Sequence, residues 1–336
     1  MAGRRTNLAL FGLLAAAFLS GALAFAIGTA WWNRWMVLAH GIAGLAIVGL
    51  APWKSLIARR GLRRDRSGRT ISLAFSVLVT LALVAGFLHS TGLAVMLGPV
   101  SAMQVHVGAA LLALPLAVWH VVARRVRPRR ADLSRRNLVR SGLLIAGTGL
   151  AYGAVEGVVR LASLAGGTRR FTGSHERGSF QPSAMPVTQW LDDPVLRLDA
   201  GTWRLEVRDG SGSRLLDHAT LAAYDDRVQA VLDCTGGWYA EQEWEGVWLD
   251  RLVVPAEGRR SLLVRSATGY TRRFPLADLP HLLLATRVGG EPLTAGHGSP
   301  ARLVAPGRRG FWWVKWVVGL EVDGVPWWWQ PPFPVT

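Results

Sequence analysis

The sequence predicts a two-part chain: an N-terminal five-helix transmembrane bundle followed by a C-terminal α+β, mostly-β domain. Three observations carry that prediction. Five long apolar runs fall before residue 164. The basic charge falls with them. After about residue 171 the pattern changes to short β-rich runs divided by turn signals.

Half of the 336 residues are hydrophobic, and the mean hydropathy of +0.25 is too high for an ordinary soluble domain. Only 18% are charged, yet the formal net charge is +16. Residues 1–170 carry 21 Lys/Arg against 3 Asp/Glu, and residues 171–336 carry 17 against 19. The excess therefore belongs to the apolar half, as membrane topology requires, and nucleic acid is excluded as a partner. The single cysteine, Cys234, rules out an internal disulfide and a cysteine-based zinc site. There are 16 Trp against 4 Tyr. Several Trp flank the apolar runs, where indole favours the lipid interface; those in the C-terminal half need another reason.

The spans are placed at about 8–28, 35–53, 71–93, 102–123 and 141–163, each long enough for a bilayer core of ~30 Å. Loop 54–69 holds seven basic residues and loop 124–140 holds eight; the other two loops hold only Arg34. The two basic loops are then cytoplasmic. The N-terminus is inside and the C-terminal domain lies outside, on the periplasmic or extracytoplasmic face of a bacterial inner membrane. Membrane lipid is thus one partner. Residues 1–163 form the transmembrane domain, 164–186 a polar linker, and 187–336 the outer domain. Ser134-Arg135-Arg136-Asn137-Leu138-Val139-Arg140, ahead of the fifth span, looks like an internal twin-arginine export signal. It implies the twin-arginine translocase as a partner and a domain that folds around its cofactor before export. A plain stop-anchor with basic flanks is the alternative.

Four histidines lie in the spans: His40, His89, His106 and His120. Ionisable groups there are costly and point to function. His40, His89 and His106 sit at similar depth near the outer surface, where two imidazoles from different helices could hold one haem iron. The sequence favours one haem b on His106 with His40 or His89. His120 shares a helix face with His106, ~21 Å away, and could serve a second haem, but the matching inner position on span two is Lys54. Interhelical hydrogen bonding is the alternative role for these histidines.

In the outer half, β-rich runs occur at 203–207, 229–232, 261–265, 302–305 and 313–322, with a helical stretch at 276–284. Serine-hydrolase elbows, zinc-protease motifs and P-loops are absent. His175, His218 and His281 are scattered, and Asp192-Asp193 precedes Pro194 as a turn. Cys234 ends a hydrophobic run and is followed by glycines that leave room for a bulky group. Its thiolate suits a heavy redox metal; a buried unreactive cysteine is the alternative.

Two longer strings bear on that choice. One is Asp233-Cys234-Thr235-Gly236-Gly237-Trp238 with Trp244-Glu245-Gly246-Val247. The other begins Gly289-Gly290-Glu291-Pro292-Leu293. It continues through Gly296-His297-Gly298-Ser299-Pro300-Ala301-Arg302-Leu303-Val304 and Pro306-Gly307-Arg308-Arg309-Gly310 to Val314-Lys315-Trp316. Both resemble the molybdopterin-binding domain of the sulfite oxidase family, in the same order. Phe171-Thr172-Gly173-Ser174 and Pro186-Val187-Thr188 look like the lead-in of bacterial members. The resemblance covers about 171–322. It implies a molybdenum–molybdopterin cofactor, with Cys234 as the catalytic thiolate ligand to molybdenum. His297 and Arg302 then contact the pterin and its phosphate, and Lys315 lies near the cofactor. Arg308, Gly298 and Ser174 are further cofactor-binding candidates, and Asp233, Trp238 and Tyr270 line the cavity.

Trp312 and Trp313 depart from the family pattern, standing where many members carry a basic or small polar residue. The arginine-rich motif that gathers sulfite is missing, and with Thr336 last the C-terminal dimerisation domain is expected to be absent. The arrangement is similar to the bacterial periplasmic methionine sulfoxide reductase system, here with membrane and molybdenum parts in one chain. The implied activity is two-electron oxygen-atom transfer on a small substrate, with an S-oxide such as methionine sulfoxide as the lead. Electrons would be exchanged through haem b with quinone or another membrane carrier. The alternative is a membrane cytochrome, or a sensory or binding protein, whose outer domain has lost its cofactor.

Overall fold

The computed structural model describes residues 2–62, 68–123, 126, 129–189 and 193–331. Arg63, Arg64, Arg66, Arg124, Arg125 and Arg127 of the basic loops, and Asp192, lie outside the described residues. The chain divides into two compact units. One is Met1–Phe25 with Ala30–His175, and the other is Ala26–Thr29 with Glu176–Thr336.

The first unit contains α1 (Ala2–Ala26), α2 (Ala30–Leu62), α3 (Arg69–Thr91), α4 (Ala102–Ala123) and α5 (Arg135–Leu161). All five are long and apolar enough to cross a membrane. Small side chains face inward, among them Ala43, Ala46, Ala82, Ala85, Ala109 and Ala113. Large ones face outward, such as Val77, Leu112, Leu143 and Leu150. That inversion suits lipid, where close helix approach and not exclusion of water holds helices together. Gly92 closes α3 in the left-handed region, φ 74°, donating its N–H to the His89 carbonyl, a role that glycine fills without strain.

Three helices outrun their apolar runs. α1 begins at Ala2, ahead of the run expected from about residue 8. α2 continues through Pro52, which removes one backbone donor and so bends the helix more readily than it ends it. α5 starts at Arg135, with Ser134 extended at its N-cap, so both arginines of the export-type string lie in its first turn.

The second unit is built from two sheets. In chain order its strands are β1 (Arg204–Asp209), β2 (Gly212–Asp217), β3 (Asp226–Cys234), β4 (Trp238–Trp248) and β5 (Ser261–Ser266). They continue with β6 (Thr271–Pro275), β7 (Leu283–Val288), β8 (Glu291–Pro292), β9 (Arg302–Val304) and β10 (Val317–Asp323). One sheet centres on β4, flanked by β3 and β7, with β8 and β9 also paired to β7. The other runs β2-β1-β10-β5-β6; its β1–β10 pair is parallel. Alternating burial along β1 and β5 sends Leu205, Val207, Leu262 and Val264 inward. There they join one core with Trp244, Val247, Phe274, Leu284 and Leu303.

The structure corrects three local readings. The stretch 276–284 is not a helix but a 3₁₀ turn, Leu276–His281, followed by β7. Pro280 removes a helix donor there, and Leu283, Leu284 and Ala285 are buried as only a central strand buries them. The run 313–322 becomes strand only at Val317, because Gly310–Trp312 forms a 3₁₀ turn. Finally, β4 is missing from the sequence runs, since Glu241, Gln242, Glu243 and Glu245 mask its pattern. Gln242 is fully buried and donates to the Gly178 carbonyl at 2.6 Å.

Candidate functional site

The β3–β4 hairpin places Cys234. Cys234 pairs with Trp238 across Thr235-Gly236-Gly237, and the turn closes with Gly237 N–H donating to the Cys234 carbonyl at 3.2 Å. Gly236 N–H also donates to Cys234 Sγ at 3.3 Å. Behind the hairpin, Arg309 Nη1 donates to Asp233 Oδ1 at 2.5 Å, with both side chains buried. A Cβ on Gly310 would lie 3.1 Å from Cys234 Cα. The loop before the Gly310 turn is therefore locked directly against the cysteine backbone.

Cys234 lines a cleft that is open to solvent. His297, Arg302, Lys315, Trp238, Tyr270 and Trp313 share its walls, with Asp193. Arg302 enters from β9 and is almost wholly buried, its guanidinium 5.4 Å from the Trp244 ring and 5.7 Å from that of Trp313. Its Nη1 donates to the His297 carbonyl at 3.3 Å, while its buried Nε has no partner. His297 Nε2 lies 3.1 Å from the Met185 carbonyl and Nδ1 lies 2.9 Å from Thr294 Oγ1. The ring thus donates from Nε2 and accepts at Nδ1. Lys315 Nζ donates to the carbonyls of Gly296 at 2.7 Å and Thr188 at 2.9 Å, and to Gln189 Oε1 at 3.3 Å. It ties the two loops that flank the cysteine.

The electrostatics of this cluster are unfavourable without an anion. Burial, and then the Arg302 charge, pull Lys315 down to about 7 and His297 to about 4. Burial lowers Arg302 to about 10. Burial also pushes the Cys234 thiol up, opposed by Gly236 N–H, Arg309 and Lys315. Buried like charges are costly; Asp193 and the Cys234 sulfur offset part of that cost, and an anionic group in the cleft relieves more of it. The orphaned Nε of Arg302 and the soft sulfur donor of Cys234 fit an anionic, metal-bearing cofactor.

A pH prediction follows. Both bases titrate below their ordinary values, so the unfolded chain binds more protons than the folded chain across each interval. Stability of the cofactor-free chain should therefore rise with pH from about 4 to 6.5 through His297, and from about 7 to 10.5 through Lys315. Melting of cofactor-free protein across these windows checks it; a midpoint that falls would contradict the arrangement.

The structure therefore gathers Cys234, His297, Arg302 and Lys315 around one cleft, with Trp238 and Tyr270. Gly298 lies just behind, at φ 104° and with a would-be Cβ only 3.1 Å from Lys315 Cβ. Two candidates stand elsewhere. Arg308 pairs with Asp278 and lies 4.7 Å from the Trp312 ring centre. Ser174 is buried beside Thr172 in the other compact unit. Of the two departing tryptophans only Trp313 lines the cleft, beside Arg302; Trp312 packs with Arg272, Arg308 and Phe274. Sequence reasoning missed Asp193 as a wall residue and Arg309 as the partner of Asp233. The buried acid before the cysteine was the available signal for the latter.

In the membrane unit, His40 and His106 come together, ring centres 5.6 Å apart at 88°. His40 Nδ1 lies 2.8 Å from the Ala17 carbonyl of α1, and His106 Nδ1 lies 2.7 Å from the Ala82 carbonyl of α3. Each ring also packs on a glycine. A Cβ on Gly21 would lie 3.0 Å from His40, and one on Gly86 would lie 2.8 Å from His106. His89 is turned away, its Nε2 2.9 Å from the Gly173 carbonyl and its ring 4.8 Å from that of His175. His120 rests against Phe75 and Ser72, while Lys54 donates to Asn7 Oδ1 at 2.9 Å. Among the described residues no group of three or more His, Cys, Asp or Glu is arranged to hold a metal ion.

Comparison with known proteins agrees with the cleft. Residues 192–327 match the family described as oxidoreductase molybdopterin binding domain. An uncharacterized oxidoreductase of Bacillus subtilis (strain 168), YuiH, is 31% identical over 153 residues, covering 41% of this chain and 74% of the relative. Among solved structures, the sulfane dehydrogenase SoxCD of Paracoccus pantotrophus is similar at 25% identity and a TM-score of 0.37. That match covers 39% of this chain and 40% of that one. With a thiol, buried cations and an open cleft assembled inside the matched region, the chain belongs to the molybdopterin-binding oxidoreductases of the sulfite oxidase family.

Proposed function

We propose that this protein is a membrane-anchored molybdenum oxidoreductase of the bacterial inner membrane. It reduces a small S-oxide, methionine sulfoxide being the lead, with electrons drawn from quinone or another membrane carrier through a haem b. The N-terminus is cytoplasmic, and the molybdopterin domain lies outside after twin-arginine export. The observation that carries the reading is the set of buried cations converging on one thiol, with Arg302 Nε unpartnered.

When bound, the molybdenum–pyranopterin group supplies the two-electron oxygen-atom chemistry. The chain does the rest. Cys234 donates sulfur as a thiolate, which Gly236 N–H, Arg309 and Lys315 favour against burial. Arg302 would offer its planar fork to the pterin and its phosphate, and His297, its ring nitrogens engaged by Met185 and Thr294, would shape the wall beside them. Lys315 holds the carbonyls of Thr188 and Gly296 in place as cleft wall. Reduction of an S-oxide consumes two electrons and two protons and releases water, and the open mouth of the cleft admits both substrate and water.

For the electron route, the donor set of His40 and His106 supports a haem. With each Nδ1–H committed to a carbonyl, each Nε2 keeps its lone pair for iron, the arrangement that orients metal-binding imidazoles. Elemental analysis of the full chain in detergent should find about one molybdenum and one iron. His40→Ala and His106→Ala should each remove the haem absorbance, whereas His89→Ala and His120→Ala should keep it. Iron lost with His89 and kept without His40 would reverse the assignment, and molybdenum absent from the chain would sink the activity.

A further inference from the structure

Neither the cleft nor the core accounts for the tryptophan run at the C-terminal end. Trp203, Trp244, Trp313 and Trp316 are buried, and Trp238, Trp248 and Trp312 pack against the core. Trp327, Trp328 and Trp329 are instead 38%, 61% and 70% exposed. Three adjacent indoles in water are an unusual apolar patch.

The run is no frayed end. Trp329 N–H donates to the Pro326 carbonyl at 2.9 Å. Gln330 Nε2 donates to the carbonyls of Trp327 at 2.7 Å and Arg273 at 2.9 Å, and Gln330 Oε1 accepts from Arg273 N–H at 3.0 Å. Before the turn, Ser261 Oγ donates to the Val325 carbonyl at 2.6 Å; after it, Arg272 Nη1 donates to the Pro331 carbonyl at 3.0 Å. Both flanks are thus stapled to β5 and β6, and the rings are held outward with Trp328 and Trp329 edge to face, centres 6.0 Å apart.

What suits such a turn is a layer apolar below and polar above. Indole has that amphipathic form, and Trp concentrates where acyl chains meet headgroups. The same chain shows the chemistry where α2 begins, with Trp31, Trp32 and Trp35 exposed. Charge agrees. Arg259 and Arg260 are exposed, and the Arg260 N–H donates at 2.8 Å to the carbonyl of Asp323, in the strand that leads into the turn. Asp323 is already paired with Arg273, and Glu257 is an exposed carboxylate two residues before Arg259. Arginines beside an indole cluster attract anionic headgroups.

We propose that the Trp327–Trp329 turn is an interfacial anchor, seated in the headgroup boundary of the bilayer that the chain's own helices cross. The proposal is independent of substrate and of haem.

The test uses the full chain in vesicles of phosphatidylethanolamine and phosphatidylglycerol. The lipids are unbrominated, brominated near the top of the acyl chain, or brominated near its end. Wild type is compared with the triple variant Trp327→Ser, Trp328→Ser, Trp329→Ser. The emission that the variant lacks should be quenched several-fold by shallow bromines and less by deep ones. Arg259→Glu with Arg260→Glu should weaken that quenching when phosphatidylglycerol is present. Trp329→Ser alone, removing the most exposed ring, repeats the comparison if the triple variant does not fold. Emission indifferent to bromine at either depth overturns the proposal. So does a detergent-soluble dimer that the triple variant loses while its bromine response stays unchanged; that result would give the patch to a second copy.

Discussion

Cys234→Ala should abolish the proposed S-oxide reduction, by on the order of 10³-fold or more, while leaving the fold of the full chain intact. The expectation rests on the thiol's position. Cys234 ends β3, opens into the cleft, accepts the Gly236 N–H, and is backed by the Arg309–Asp233 pair. No other cysteine exists in the chain to substitute for it. Circular dichroism and the melting midpoint serve as the folding control, since they read the unit that holds Cys234. Turnover with a reduced dye as electron donor is the measurement. Unchanged turnover would remove Cys234 from the chemistry and leave it a packed thiol.

Arg302→Met should strip the cofactor without lowering the stability of the cofactor-free chain. Arg302 is fully buried, makes one hydrogen bond and leaves Nε orphaned. Removing a buried charge from water costs several kcal/mol even after relaxation, and its packing on Trp244 and Trp313 returns only part of that. Methionine has similar length, lies well on aromatic faces, and carries no charge to desolvate. The melting midpoint of the cofactor-free variant should therefore equal or exceed that of wild type, while molybdenum content falls about 10- to 100-fold, as when a group supporting a metal site is removed. A clear drop in the cofactor-free midpoint would make Arg302 a structural residue. The two readings separate because a binding site is arranged for a ligand-bound state at some expense to the empty one.

Much of this was legible before any coordinates. Span number follows from apolar length, since a bilayer core imposes a minimum on each helix. A basic apolar half followed by a β-rich half follows from charge and periodicity, although the compact units part after His175 and not at residue 164. Cys234, His297, Arg302 and Lys315 were readable because the two strings resemble the family's cofactor-binding segments, which fixes each of them by its place in the string. Other features were hidden. A helix over 276–284 was a fair reading of its leucines, but central-strand burial and helical burial leave the same apolar run, and Pro280 decided between them. β4 escaped notice because a glutamine is buried in it, satisfied by a carbonyl from a distant segment.

Composition and local pattern thus settle what each segment is made to bury, because that depends on the residues alone: lipid-length helices, alternating strands, one soft donor among cations. Which groups meet is different, because it depends on contacts between residues far apart in the chain. The sequence left His40 and His89 as alternative partners of His106. Only packing sets His40 against His106, each held by a carbonyl and a glycine of a neighbouring helix, and turns His89 toward Gly173. Likewise Arg308 and Arg302 share one motif and one charge. Arg302 enters the cleft from a central strand, and Arg308 swings out to Asp278 and Trp312, because side-chain direction is a property of the folded backbone.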